Sequence, residues 1–223
     1  MQQIVLEMPA AFDFRAGQYL EVIHPDGRIA LSIASGPLRL PELHLHYRST
    51  PGVAEAAWLD ELLAAGRPLI VRGPSGDVFM PDDPEIPMLL IAGGTGIAQV
   101  CAILDEVGEH ESRAPVTVLW CADADDELYC RSRLEAVRAP WLHVEFIVDA
   151  RRDAANAGLR RIGDLAASAA ARHRGAPAGW ILLAGSPGFT YAACDVLVAA
   201  SIDESRIHSD VFAYAPRPRA PGR

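Results

Sequence analysis

Three glycines, Gly93, Gly94 and Gly96, surround a threonine, Thr95, directly after the apolar run Met88–Ala92. A short continuous apolar run of this kind reads as a strand of a parallel sheet buried on both faces. Glycine lacks Cβ, so the backbone turns sharply here and lets a ligand approach closely. The stretch from Ile97 to Glu109 reads as a helix, and its free N–H groups and positive dipole end point back at the turn. That arrangement suits the pyrophosphate of a dinucleotide. The spacing is not G-x-G-x-x-G, and no acid occupies the usual ribose position, which disfavours an ordinary Rossmann dehydrogenase. A second turn, Ala184-Gly185-Ser186-Pro187, follows another apolar run, Ile181–Ala184. Ligands of open α/β sheets bind at the carboxyl ends of the strands, so the two turns are expected to face one crevice.

Other residues that could do chemistry form no cluster. Cys101, Cys121, Cys130 and Cys194 are far apart, with no C-x-x-C pair and no C-x₄-C-x₂-C ferredoxin spacing. Cys101 and Cys194 fall in apolar helical stretches and Cys121 ends an apolar strand, so all three read as buried structural thiols. His44 and His46 sit two apart on one strand and the other histidines are scattered, which gives no metal site.

The elements that must position the glycine turn change character once along the chain. Residues 1–80 carry short alternating segments broken by Pro and Gly, such as Leu43-His44-Leu45-His46-Tyr47 and Pro68-Leu69-Ile70-Val71. This is the pattern of an antiparallel β-barrel, with one helix inserted over Val53–Ala65. Residues 81–87, polar and proline-rich, read as a linker and domain boundary. From 88 to 215, apolar runs at Met88–Ala92, Val116–Cys121, Val144–Val148, Ile181–Ala184 and Ser209–Ala213 alternate with helical stretches at Glu127–Val137, Asp164–Arg172 and Gly188–Ala200. The expectation is a five-stranded parallel nucleotide-binding sheet with helices on both faces. Residues 216–223, rich in Pro and Arg, read as a disordered tail.

Composition narrows the function. The 223 residues can fill two modest cores. No apolar run approaches the ~20 residues that span a bilayer, and the N-terminus lacks the charged and apolar regions of a secretory signal. A net charge of −9 argues against nucleic acid or an anionic membrane as the main partner. A cytoplasmic location is the default expectation.

Five segments in order resemble the ferredoxin–NADP reductase superfamily, closest to its small NAD(P)H:flavin reductases. Phe14-Arg15-Ala16-Gly17-Gln18-Tyr19-Leu20 and Leu31-Ser32-Ile33-Ala34-Ser35 look like its flavin-domain signatures. Leu128-Tyr129 and Ala184-Gly185-Ser186-Pro187 occupy the places of its nicotinamide-side motifs, and Asp210-Val211-Phe212-Ala213-Tyr214 resembles the flavin reductases' C-terminus. The resemblance implies hydride transfer from a nicotinamide to a flavin, FAD or FMN, with the protein stacking and orienting the two rings. It also implies residue roles. Ser32 would hydrogen-bond near the reactive flavin nitrogen, and Thr95 would lie under the ring from the nucleotide side. The backbone of Leu31, Ile33 and Ala34 would run along the ring, with His46, Tyr47 and Arg48 on the neighbouring strand. Gly93, Gly94 and Gly96, with the helix that opens at Ile97, would hold the pyrophosphate, while Gly185, Ser186 and Pro187 would flank the nicotinamide.

Two departures qualify the expected function. The family's R-x-Y/F-S is Ile29-Ala30-Leu31-Ser32 here, so the arginine for the flavin phosphate and the aromatic on the ring are both absent. Arg28 is one residue out of register and would point to the opposite face, which leaves Arg48 as the substitute. The resemblance also begins at the second barrel strand, leaving the first strand missing and an edge for a partner to cover. Three readings follow: a reductase using exchangeable flavin, a flavin or nucleotide-binding module without turnover, and one part of an electron-transfer assembly serving an oxygenase or iron–sulfur acceptor. Asp123, where related reductases carry an arginine, implies NADH over NADPH. It would accept from a ribose 2′-hydroxyl and repel a 2′-phosphate, with Arg131 and Arg133 the nearest cations that could reverse this.

Overall fold

Alternating apolar residues of the N-terminal third form five strands: β1 (Gln2–Glu7), β2 (Tyr19–His24), β3 (Gly27–Ser32), β4 (Glu42–Tyr47) and β5 (Val71–Ser75). The computed structural model describes residues 1–9, 11–110, 113–148, 162–164 and 179–217. The five strands make two antiparallel sheets, β3-β2-β5 and β1-β4, joined by a bridge between Ile33 and Leu45. Helix α1 (Ala54–Ala64) closes them by placing Leu59 among the fully buried Leu20, Val22, Ile33, Leu43 and Leu45. A strand, β1, therefore precedes the Phe14–Leu20 segment, and the barrel is two sheets rather than one closed one.

The rest of the chain forms the expected five-stranded parallel sheet: β6 (Met88–Gly93), β7 (Val116–Ala122), β8 (Leu142–Val148), β9 (Trp180–Ala184) and β10 (Ile207–His208), in the order β10-β9-β6-β7-β8. Strand β6 is central, and its alternate residues feed two cores. Leu90 and Ala92 pack with Val100 and Ile103 of α2 (Ile97–Glu109), while Leu89 and Ile91 pack with Ala193 and Leu197 of α4 (Pro187–Ala199). Burial on both sides is what made Met88–Ala92 an unbroken apolar run.

Several expected elements shift. The last strand is Ile207–His208 rather than Ser209–Ala213, and Val211–Tyr214 is a short helix, α5. Ser209 Oγ accepts the Val211 N–H (3.3 Å), and the Asp210 carbonyl accepts from Ala213 and Tyr214, so local bonds satisfy the backbone that a strand would have paired. The helix expected over Glu127–Val137 is a 3₁₀ turn at Asp125–Glu127 followed by α3 (Arg131–Ala136), because Leu128 and Cys130 turn inward to the core between them. Strand β4 does not alternate in burial: Leu43 through Tyr47 are all buried, since one face meets the barrel core and the other is covered. The strand expected to begin at Pro68 starts at Val71. Of the tail, Arg217 is tied down by two 2.7 Å bonds to Asp195 and lies over the Tyr191 ring; residues 218–223 lie outside the described residues, as does nearly all of the Asp164–Arg172 stretch.

Helix α2 joins the two halves. The Gln99 amide donates to the Gly17 carbonyl (2.5 Å), Glu106 accepts the Ala16 N–H (3.2 Å), and Asp105 accepts the Gly36 N–H (3.2 Å) and Arg39 Nε (3.0 Å). The other Asp105 oxygen accepts from Arg133 (2.7 Å), whose guanidinium also reaches the Ala34 carbonyl (3.5 Å). Gly36 is required here, since a Cβ would stand 2.9 Å from Asp105 Cβ. Bonds to a charged partner contribute about 1.5–3 kcal/mol, so Asp105→Ala should lower stability by about 2 kcal/mol, measured by urea denaturation. A change below about 0.5 kcal/mol would show that apolar packing alone holds the halves together.

Candidate functional site

The glycine turn runs from the end of β6 through a single 3₁₀ turn, Gly94–Gly96, into α2. Its glycines have different physical reasons. A Cβ on Gly96 would lie 2.1 Å from the Ala184 carbonyl oxygen, and one on Gly93 would lie 2.7 Å from the Phe189 ring. Gly185, at φ +157°, would meet Phe189 at 2.9 Å and the Gly93 carbonyl at 3.2 Å. These three let the two turns pack against each other and against Phe189. Gly94 differs: it has φ +53° and open space where a Cβ would be, and its carbonyl is held by Trp120 Nε1–H (3.0 Å). No side chain caps α2, and its first N–H, that of Ile97, is donated to the Gly94 and Thr95 carbonyls, so an anion at this end would meet the backbone N–H groups of the 3₁₀ turn itself. Ile97 is fully buried and anchors that first turn in the core. Ser186 caps α4 by accepting the Phe189 N–H (3.3 Å), Pro187 takes its first position, and both are exposed.

Two cavities meet at Thr95. The smaller, about 230 Å³, lies on the barrel side between Ile29 and Leu31 of β3, the run His46–Arg48 and the start of α1 at Val53–Ala56. The larger, about 410 Å³, lies in the crevice between Ser32 and Ala30 of β3, the carboxyl end of β9 at Ala184–Gly185, and Asp210. Side chains alternate along a strand, which is why Leu31 and Ser32 line different cavities. Ser32, Thr95, Gly96 and Gly185 are thus brought together in the crevice, and Leu31, His46, Tyr47 and Arg48 on the other side of Thr95. Ile33 and Ala34 line neither: both are fully buried, with their N–H groups donated to the Gln18 and His44 carbonyls. Tyr47 is anchored by its hydroxyl donating to the Ala56 carbonyl (3.0 Å).

The arginine that lines the barrel-side cavity is paired. Arg48 bonds Glu127 across the junction, and Arg28 bonds Glu21 (3.2 Å) on the opposite face of β3. Glu127 also accepts the Asp123 N–H (3.2 Å), leaving the Asp123 side chain exposed beyond β7. Arg131 pairs with Asp125 and lies over Phe146, and Arg133 is held by Asp105, so these two cations are engaged. His46, 5% exposed, meets the Tyr129 hydroxyl at 3.1 Å. Burial, helped by the charge of Arg133, pushes its pKa down to about 4, so His46 is neutral at physiological pH. Burial also pushes the Tyr129 hydroxyl up.

The structure adds residues that sequence reasoning passed over. Asp210 lines the crevice; its Oδ2 accepts from Gln99 Nε2 (3.2 Å), and Tyr19 and Tyr214 line the same cavity. Burial raises the Asp210 pKa to about 6, with the charge of Asp77 adding to the shift and the bonds from Gln99 and the Val78 backbone opposing it. Gln99 carried a readable signal as the one amide in the apolar stretch Ile97–Leu104. Asp210 was legible as the acid opening the terminal segment, but the strand expected over Ser209–Ala213 hid its direction.

Residues 90–195 match the family profile described as the oxidoreductase NAD-binding domain. The chain is 33% identical over 147 residues to an NAD(P)H-flavin reductase of Aliivibrio fischeri, covering 63% of this chain and 61% of that protein. It is 27% identical over 208 residues to terephthalate 1,2-dioxygenase reductase component 1 of a Comamonas species, covering 91% of this chain and 60% of that one. The chain thus spans about three-fifths of the length of these curated relatives. Among solved structures it superposes on the Amycolatopsis cytochrome P450 reductase GcoB with a TM-score of 0.75 and 27% identity, over 93% of this chain and 64% of that one. A Neisseria gonorrhoeae ferredoxin NADP+ reductase with bound FAD and NADP shares the fold at a TM-score of 0.70 and 16% identity, over 93% of this chain and 90% of that one.

The glycine geometry separates packing from ligand contact. Gly96→Ala places a methyl against a backbone carbonyl and should destabilise the chain by several kcal/mol or prevent folding, read by thermal melting. Gly94→Ala has room and should cost only about 1–2 kcal/mol for its positive φ, leaving a folded protein with weaker nucleotide binding in calorimetry. Equal stability for the two variants would overturn this division.

Proposed function

Since the chain belongs to the ferredoxin reductase-like superfamily, we propose that it is a flavin-dependent NAD(P)H oxidoreductase that takes hydride from NADH and supplies reduced flavin or electrons to an oxygenase partner. The reading is carried by one observation: two cavities, one on the barrel and one at the carboxyl ends of the parallel strands, share Thr95 as their common wall. Residues 1–80 then serve flavin and residues 88–215 the nucleotide, joined by 81–87, in a cytoplasmic enzyme. Flavin and nicotinamide supply the hydride chemistry when bound; the protein positions the rings and excludes water. Ile29 and Leu31 offer the ring an apolar floor, Thr95 separates it from the nicotinamide, and Ser32 offers a hydroxyl at the edge between them. Gly94 and the uncapped start of α2 receive the pyrophosphate, while Gly185 borders the nicotinamide.

The barrel-side cavity fits a flavin ring better than a flavin phosphate. Its one arginine, Arg48, is neutralised by Glu127, and Glu55 adds an acid to the lining. A charge-assisted contact forgone lowers affinity by roughly tenfold or more, which favours flavin as an exchangeable substrate. Oxygenase partnership is supported by the relative named as a dioxygenase reductase component and by the structural neighbour named as a cytochrome P450 reductase. The absent arginine and aromatic also favour a second reading, a flavin-binding module without turnover.

One assay tests both readings. Purified protein should be largely colourless and should oxidise NADH when riboflavin, FMN or FAD is added, and Ser32→Ala should lower kcat more than it raises KM for NADH. Flavin binding without NADH oxidation would select the binding module, and an unchanged Ser32→Ala would make that hydroxyl structural.

Nucleotide choice follows from the charges beyond β7. Among the described residues the cations nearest Asp123 and its acidic neighbours, Arg131 and Arg133, are engaged. kcat/KM should favour NADH over NADPH by at least about tenfold, ~1.4 kcal/mol, and Asp123→Arg should narrow the gap. Equal use of the two nucleotides would mean that Arg131 or Arg133 leaves its partner for the 2′-phosphate.

A further inference from the structure

One polar side chain on the barrel-side cavity keeps an unused bonding edge. Of the other polar groups lining that cavity, the Tyr47 hydroxyl is committed to the Ala56 carbonyl and Arg48 to Glu127. Thr50 and Glu55 are exposed, and Thr95 belongs equally to the crevice. His46 differs: it is almost fully buried, yet its ring forms part of the cavity wall. Its Nδ1 meets the Tyr129 hydroxyl at 3.1 Å, whereas Nε2 has no partner among the described residues. Nor is Nε2 one of the unpartnered atoms sealed from solvent, so it is open to the cavity.

The tautomer of His46 follows from counting protons. Burial and the charge of Arg133 keep the imidazole neutral, so one ring nitrogen carries a proton and the other accepts. Burial also keeps the Tyr129 phenol protonated, and among the described residues its acceptor is His46 Nδ1. Tyr129 therefore donates to Nδ1, and the imidazole proton sits on Nε2, towards the cavity. The opposite tautomer would leave the phenol proton without an acceptor, at the full desolvation cost of that group. Tyr129 is also held in place. Its ring is edge-on to His46 at 5.3 Å and to the fully buried Trp120 at 5.4 Å, while Leu128 and Cys130 on either side are anchored in the core.

Resting on the flavin-reductase reading, we propose that the His46 side chain recognises the flavin by donating its Nε2–H to an acceptor on the edge of the isoalloxazine ring, and that Tyr129 is the residue positioning it. The chemistry of the ring matches this donor. Its pyrimidine half carries carbonyl acceptors, whereas its benzenoid half carries none and suits the apolar Ile29 and Leu31. One buried donor opposite two apolar side chains is enough to fix which way round the ring enters. A ring that presented its apolar edge to His46 would bury the Nε2–H unpaired, and that penalty is the source of the selectivity. Trp120, on the far side of Tyr129, holds the Gly94 carbonyl at 3.0 Å, so one stack of rings runs from the flavin cavity to the glycine turn.

Riboflavin binding measured by calorimetry is the test. His46→Leu should weaken riboflavin about tenfold, and His46→Gln, whose amide can still donate, should stay within about threefold of wild type. Tyr129→Phe should weaken it about threefold. Two analogues, 2-thioriboflavin and 4-thioriboflavin, each replace one carbonyl by a weaker acceptor and so locate the bond. One of them should bind wild type about fivefold less tightly than riboflavin, and that difference should vanish in His46→Leu. The positioning role has a signature of its own. In nitrogen NMR of the histidine side chains, His46, assigned by its loss in His46→Gln, should carry its proton on Nε2 in wild type and show a mixture of tautomers in Tyr129→Phe. Equal riboflavin affinity in wild type and His46→Leu, or a wild-type His46 protonated at Nδ1, overturns the proposal. Should His46→Leu fail to fold, the thio analogues on wild type decide: equal affinity for both analogues and riboflavin removes the role. A wild-type chain that binds no flavin sinks the flavin-reductase reading itself, whereas one that binds riboflavin as tightly with His46→Leu sinks only this inference.

Discussion

Everything at the site depends on how helix α2 is held. Its first turn carries the glycine loop, and further along Gln99, Asp105 and Glu106 reach the barrel at Gly17, Gly36 and Ala16. One rigid element therefore fixes both the pyrophosphate end of the site and the distance between the barrel and the parallel sheet. Buried polar contacts of this kind carry a penalty if only partly made, so the two halves dock in one register or lose several bonds together. Thr95 becomes the wall between the cavities because it leads directly into that helix.

Close approach of backbone to backbone is the second constraint. Gly96 against Ala184, Gly93 and Gly185 against Phe189, and Gly36 against Asp105 are all places where a methyl group would collide. The glycines of the loop serve packing first. Within the loop, Gly94 is the glycine that combines a positive φ with open space, and there the lack of a side chain suits a ligand.

Charge placement gives the two cavities different characters. On the barrel side the basic residue is already paired with Glu127, and neutral His46 and apolar Ile29 and Leu31 complete a surface suited to a flat, largely apolar ring. In the crevice an acid is held by an amide and a backbone N–H rather than by a cation. Electrostatics in a buried site are worth more than in water, so this difference is enough to give the cavities different ligands.

Period and composition made much of the molecule legible in the chain itself. Met88–Ala92 reads as an interior parallel strand because such a strand is buried on both faces, and the helix opening at Ile97 follows from its apolar spacing. The turns at Gly93–Gly96 and Ala184–Pro187 were readable as neighbours because both end parallel strands. What the one-dimensional pattern could not carry was pairing between distant residues. That Arg48 is neutralised by Glu127, 79 positions away, and that Gln99 reaches Asp210 across 111, depends on which side chains the folded backbone brings within bonding distance. The closing segment Ser209–Ala213 shows the same limit locally: its apolar composition suits a strand, but the Ser209 hydroxyl and Asp210 carbonyl satisfy the backbone as a turn and send the carboxylate into the crevice. Local propensity determines which elements form, whereas the direction and charge balance of a site residue are set by its neighbours in space, and those exist only once the chain has folded.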